Sequence, residues 1–465
     1  MEQSNSNINS NLHQFQSQQF QSQQFQPCQF PTEISNKEPL TKHDLQQLQK
    51  IVDLIFLNKS TTKMIMSAIL AVAAARYSDD PSIQKTPDKP GGIFFDFAKN
   101  LLDTKYNIPS LETIQTLLLL GHAQYSMTRI HSVSMFFGMA VQMAHILHLE
   151  RNDETLSSDE KEERRRIFYC IYCVERWISF ICEKPIIIDD ININVPLPTL
   201  TSFDTLTKKF FIAWIKLSRI LGQIWNFGYS SQSLASHTSW YFHATDQKNM
   251  LKQIRSELTK WLRELPDELR CQYLSNADSS RAQPSNFSVF AGYINILFHT
   301  CILLLYQPYL TRTSGPTIEV QKQGPDGPVE MCLNAANTIT EIVRKTLNYD
   351  HKSFCSFRIP FFGLLQSVAL ELVIMNGGEQ KFELIAKNSL NNSINELKFA
   401  AKNSNLFLLQ DVINECERVI MMTNGKLKLF EKIFGNFNNQ SMCNEDFFDN
   451  DDDDDDECMM DDIND

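Results

Sequence analysis

What most constrains this chain is a helical spacing of apolar residues that recurs from about residue 45 to residue 434. In LQQLQKIVDLIFL (45–57), apolar side chains fall at 45, 48, 51, 52, 55 and 56, close to the period of an α-helical turn. The same spacing predicts helices near 60–77, 93–105, 110–126, 128–149, 158–182, 205–228 and 240–264. Further helices follow near 287–310, 328–348, 359–376, 380–401 and 405–434. Gly and Pro gather between these stretches, as in SDDPSIQKTPDKPGG (78–92) and SGPTIEVQKQGPDGPVE (314–330), which read as loops. Only IIIDDININVPLP (186–198) alternates β-branched residues and ends in two prolines, and it reads as extended. The expected fold class is all-α, a multi-helix, bundle-like domain between two disordered tails. No repeat period is regular enough for a solenoid.

The ends differ from the body. Residues 1–39 are rich in Gln and Phe, and QSQQF QSQQF QPCQF (16–30) repeats every five residues. Such a segment has too little apolar surface to form a core and is expected to stay disordered and sticky. From Asn444 onward there are thirteen Asp and Glu and no Lys or Arg. Removing those acids from a net charge of −12 leaves the rest of the chain at +1. A near-neutral body argues against a broad nucleic-acid surface, which needs clustered cations. Within the tail, Phe447, Phe448, Met459 and Met460 stand among the acids. Repelling carboxylates keep such residues solvated and available to a partner's groove, as in acidic activation segments. The expected domains are a disordered segment 1–39, a helical domain 40–312, a loop 313–330, its C-terminal helical part 331–435, and a disordered acidic tail 436–465.

The apolar runs MIMSAILAVAAA (64–75) and ILFHTCILLLY (296–306) are shorter than the roughly 20 residues that span a bilayer, and read as core helices. No membrane is expected as a partner. With no apolar leader near Met1, the eleven scattered cysteines are expected to stay reduced.

ERRRIFYCIYCVERW (163–177) contains three arginines and a C-x-x-C pair. Ser157 and Glu160 fit a capping box that starts a helix just before it. That places Cys170 and Cys173 about two turns inside an apolar helix. A structural zinc site needs a second ligand pair, and no second C-x-x-C exists. A redox pair needs a helix N-terminus. Small buried hydrophobes is the better reading of both. The arginines follow glutamates, so a DNA patch is disfavoured. His145 and His148 are three residues apart on a helix and could share a metal, but no third ligand is evident. G-x-S-x-G, H-E-x-x-H and phosphate-cradling glycine motifs are absent. No catalytic, DNA-binding or metal residue is assigned, and no enzyme is expected.

Six segments in order resemble the fungal-specific transcription factor domain. They are LLLLGHAQY (117–125), SMFFGMAVQMAHILHLERN (134–152), ERRRIFYCIYCVERWIS (163–179), KPIIIDDININVPLP (184–198), LTKWLRELPDEL (258–269) and ILLLYQPYL (302–310). The resemblance covers roughly 45–310 and is densest over 110–198. Departures are Tyr169 where tryptophan is common, Cys182-Glu183-Lys184 in place of a glycine-containing turn, and Gln307 in place of an arginine. The resemblance implies an all-helical regulatory domain of a nuclear regulator of RNA polymerase II transcription. Members normally bind DNA through a preceding cluster of six cysteines that holds zinc; here Cys28 is the only cysteine before Cys170. No cofactor is therefore expected in this chain. DNA contact would come from a missing zinc-cluster segment or a partner. The alternative is a non-DNA-binding protein that sequesters or modulates a related regulator. Other expected partners are the transcriptional machinery or a coactivator through the tails, a homo- or heterodimer mate, and a small-molecule effector. Arg166, Glu175, Arg176, Asp189 and Asp190 are the candidates for an internal polar lock, because the motif sets two aspartates just after the helix that carries the arginines.

Overall fold

In a computed structural model, the described residues are 63–77, 92–126, 130–199, 205–230, 240–271, 288–311, 327–356, 359–375, 380–403 and 413–414. The expected helices at 45–57 and 405–434, the Gln/Phe repeat and the acidic tail with Phe447, Phe448, Met459 and Met460 lie outside them, apart from residues 413–414. Eleven helices are found among the described residues, and no strand. They are α1 Lys63–Tyr77, α2 Gly92–Asp103, α3 Leu111–Ser126, α4 Ile130–Ile146, α5 Ser158–Ile181 and α6 Thr205–Gly228. There follow α7 Trp240–Glu264, α8 Val289–Thr311, α9 Pro328–Ser356, α10 Ile359–Met375 and α11 Gln380–Asn403.

Two helical groups meet at α6. In the first, α1 packs on α2 and α3, α3 on α4, and α4 on α5. In the second, α8 packs on α9 and α10, and α9 and α10 both pack on α11. α6 touches α5 on one side and α7 and α8 on the other. Its composition explains this position: Phe211, Leu217, Leu221 and Ile224 are fully buried, and Lys216 and Arg219 are exposed. Indole N–H groups tie both neighbours to it. Trp177 of α5 donates to the Ser218 hydroxyl at 3.2 Å, and Trp261 of α7 donates to the Ala213 carbonyl at 3.0 Å.

α8 departs from the short apolar run read in the sequence. Val289–Leu310 is 22 residues long and apolar enough to cross a bilayer by length and composition. Its 18-residue apolar window is 78% buried inside the protein, against α6, α9 and α10, so it serves as a core helix. Pro308 sits inside it and cannot donate to the carbonyl one turn back, that of Leu304. The Tyr229 hydroxyl fills that vacancy, donating to the Leu304 carbonyl at 2.9 Å and lying 3.1 Å from Gln307 Oε1. Gln307, which replaces the arginine usual in the resembling motif, is buried and takes part in that contact.

α9 runs to Ser356, beyond the 328–348 expected from spacing. It bends at Asp350, whose φ of −155° and ψ of 84° are non-helical. The segment read as extended, 186–198, is non-helical except for one 3-10 turn, Asp190–Asn192. No strand pairs with it; side chains of α5 hold it instead.

Candidate functional site

The site is the line of contact between α5 and the chain that follows it, residues 183–199, here called the strap. α5 starts at the expected capping box. The Glu160 N–H donates to the Ser157 hydroxyl, and the Ser157 N–H donates to the Glu160 carboxylate. It ends with Glu183 at a φ of 52° and the Lys184 N–H on the Ser179 carbonyl at 2.9 Å. This is a Schellman-type stop, which turns the chain back along its own helix.

Five side chains of α5 then meet the returning strap: Glu162, Tyr169, Tyr172, Glu175 and Arg176. Their spacing keeps them on neighbouring faces of the helix. The Ile187 N–H donates to Glu175 Oε1 at 2.5 Å. The Tyr172 hydroxyl donates to Asp190 Oδ1 at 2.6 Å, and Arg176 Nη2 lies 3.2 Å from Asp190 Oδ2. The Tyr169 hydroxyl donates to the Val195 carbonyl at 2.8 Å. The Thr199 N–H and hydroxyl both donate to Glu162 Oε2, at 3.1 and 2.9 Å. From the α4–α5 turn, the Glu150 carbonyl accepts the Asn194 N–H at 2.9 Å.

Arg176 is the centre of this arrangement and is 1% exposed. Its Nη1 lies 3.3 Å from Glu175 Oε2, and its guanidinium carbon sits 4.6 Å from the Tyr172 ring centroid. Gly222 of α6 makes room for it. A Cβ on Gly222 would come within 3.0 Å of Arg176 Nε and 3.5 Å of Asp190 Oδ2. Burial pushes the Glu175 carboxyl above its ordinary range, and Arg176 and the Ile187 amide pull it back. Burial likewise drives the Tyr172 phenol well up, which keeps it a proton donor to Asp190.

Of the five residues expected to form a polar lock, the structure brings three together: Glu175, Arg176 and Asp190. Asp189 points elsewhere and accepts the Ile191 N–H at 3.0 Å, capping the 3-10 turn. Arg166 is buried (1% exposed) nearly three turns before Arg176, near Cys170. Tyr169 and Tyr172 are not among the site residues singled out from the sequence; the signal that could have flagged them is a phenol on the same helix face as Arg176.

Arg164 and Arg165 make contacts within the chain. Arg164 donates to the Leu147 carbonyl at 2.6 Å, at the end of α4, and Arg165 to Asn152 Oδ1 at 3.1 Å. Cys173 is fully buried, and burial holds its thiol far above the usual range; the Cys170 thiol is raised to about 11. Neither can act as a thiolate near neutral pH. His145 and His148 both approach Glu150, at 3.8 and 3.6 Å, and Arg151 lies 3.5 Å from the same carboxylate. Among the described residues no group of three His, Cys, Asp or Glu is placed to hold a metal ion.

With this geometry in view, the chain was compared with known proteins. The model of the fungal specific transcription factor domain matches residues 52–263. An uncharacterized transcriptional regulatory protein of Schizosaccharomyces pombe is 24% identical over 279 residues, 58% of this chain and 33% of that protein. The activator of stress genes protein 1 of Candida albicans is 20% identical over 299 residues, 58% of this chain and 30% of its own length. The transcriptional activator protein acu-15 of Neurospora crassa is 23% identical over 198 residues, 38% of this chain and 20% of its own. The matched stretch thus spans a third or less of each of these relatives. No solved structure matches. Over residues 52–263, then, this chain is similar to the fungal specific transcription factor domain.

Proposed function

We propose that this chain is the regulatory and effector portion of a fungal transcription regulator that acts in the nucleus on RNA polymerase II transcription. The observation that carries this is the match of residues 52–263 to the family, with relatives named as transcriptional regulators and activators. The strap supports a controlling role for the helical body. It is fastened mainly to α5 by separate polar bonds, with Ile188 and Val195 buried beneath it, and a segment held that way can switch between a fastened and a released state. A small-molecule effector or a dimer mate that prefers one state would shift output. DNA contact would come from a zinc-cluster segment not among these residues, or from a partner. The acidic segment 444–465, with Phe447, Phe448, Met459 and Met460, would present the contact for transcriptional machinery.

A second reading is favoured by one observation: Cys28 is the only cysteine before Cys170. These residues hold no six-cysteine cluster, and a protein that acted through them alone would work by binding and sequestering a related regulator.

The test is to tether the chain to a heterologous DNA-binding domain and read a reporter with and without residues 444–465. The first reading predicts activation that is lost on deleting the tail. A silent reporter from a stably expressed fusion contradicts autonomous activation and favours the sequestering reading.

A further inference from the structure

Glu371 is the one carboxyl among the described residues that is completely covered, at 0% exposure, about one turn before the end of the apolar helix α10. It lies beyond residues 52–263. Among the described residues no Lys, Arg or His forms an ion pair with it. Its Oε1 faces two hydroxyls of α11, Ser389 and Ser393, the second at 3.2 Å. Its Oε2 is buried with no hydrogen-bond partner. Among the described residues, an ionised carboxylate there would hold its charge against hydroxyls and hydrocarbon alone.

Counting hydrogens gives the same answer. The cluster contains five polar contacts. Ser389 meets Glu371, and also Asn337 Oδ1 at 2.7 Å; Ser393 meets Glu371, and also Thr340 at 2.8 Å; Thr340 meets the Ala336 carbonyl at 3.0 Å. The three hydroxyls bring one hydrogen each. If the Asn337 amide is turned to present its N–H, a fourth is added. The fifth contact then needs a hydrogen on Glu371 itself. A protonated Glu371 donates to Ser393, which donates to Thr340, which donates to Ala336, and Ser389 still donates to the acid.

We propose that Glu371 is a proton latch: held as the neutral acid, it closes the Ser389–Ser393–Thr340 chain and keeps α9, α10 and α11 packed, and loss of its proton loosens them. The surroundings favour this. From α9 the facing groups are Asn337 and Thr340, and from α11 Ser389 and Ser393; none of them titrates. Glu341, Arg344 and Lys345 of α9 pair with one another, and Glu396 of α11 lies near Arg344 and Glu341. From α8, Thr300 packs on Gly363 of α10, His299 is kept neutral by burial, its pKa lowered to about 4, and Cys301 is a buried, protonated thiol. Burial raises the Glu371 carboxyl to about 8, with the two serine hydroxyls opposing. An acid whose pKa is raised by folding stabilises fully below its ordinary carboxyl pKa, and that stabilisation is lost as pH rises through about 8.

The test compares amide hydrogen exchange in α10 and α11 of the full chain and its Glu371→Gln variant across about pH 6 to 9. Glutamine keeps the shape and cannot ionise. The latch predicts that opening in the wild type grows relative to the variant by about tenfold per pH unit, levelling above about pH 8. A ratio that stays constant with pH overturns it. If the variant does not fold, infrared spectroscopy of the wild type reads the proton directly. The protonated-acid carbonyl band should be present near neutral pH, shift in Ser389→Ala, and vanish by about pH 9.5. Absence of such a band at neutral pH, or a band insensitive to Ser389→Ala, also overturns the proposal.

Discussion

Arg176 has two acids, one aromatic face and one glycine around it, and each sets a different part of its environment. Glu175 is 4% exposed and depends on the guanidinium for its charge balance; Asp190 is 37% exposed and reaches water. Removing the arginine therefore strands Glu175 more than Asp190. We predict that Arg176→Ala lowers unfolding free energy by about 3–5 kcal/mol, the usual cost of leaving a buried charge unpaired. Urea denaturation with an unchanged slope checks this; a loss below about 1 kcal/mol contradicts it. Asp190→Asn should cost much less, because water screens the exposed partner and the amide can still accept from Tyr172. The two aspartates show why residue-level roles were only half legible in the sequence. Asp189 caps the 3-10 turn that Asp190 opens, so the two carboxylates serve different partners. Only the path of the strap decides which one meets Arg176. Glu371 was harder still. A single acid in IPFFGLLQSVALELVIM reads as a solvated position, yet Ser389 and Ser393, one turn apart on the next helix, both face it.

At the scale of elements, the helices with one apolar face could be read from spacing, and one helix start carries a capping box. α6 and α7 match their expected bounds, and the Ser157–Glu160 box starts α5. α9 was underestimated because nothing in its sequence pattern shows that the chain can bend at Asp350 and remain helical. Residues 186–198 read as extended and are non-helical apart from Asp190–Asn192; alternation alone points to a strand, but α5 takes the place of a neighbouring strand by offering side-chain acceptors and donors. The stop of α5 gives a test of its own. Glu183 occupies the left-handed region at a φ of 52°, where a side chain costs about 1–2 kcal/mol and glycine costs little. This is the position where the resembling motif has a glycine-containing turn. We predict that Glu183→Gly stabilises the protein by about 0.5–1 kcal/mol, seen as a higher thermal midpoint. A lower midpoint would show that the turn is held by contacts of the glutamate side chain.

For the whole molecule, α6 joins the two helical groups, and its Gly222 lies against the Arg176–Asp190 pair. The Glu175–Arg176–Asp190 cluster therefore sits where the strap, α5 and α6 converge, between the first helical group and the one that carries Glu371. This supports a body whose packing can be set from more than one point: the strap on one side and the buried acid of α10 on the other. If fastening of the strap controls output, the most direct measurement is reporter activity of the tethered chain carrying Asp190→Asn, with fusion abundance followed in the same cells. Altered reporter output at unchanged abundance is the expected result. Output equal to wild type at equal abundance would contradict it and leave the strap a structural tie.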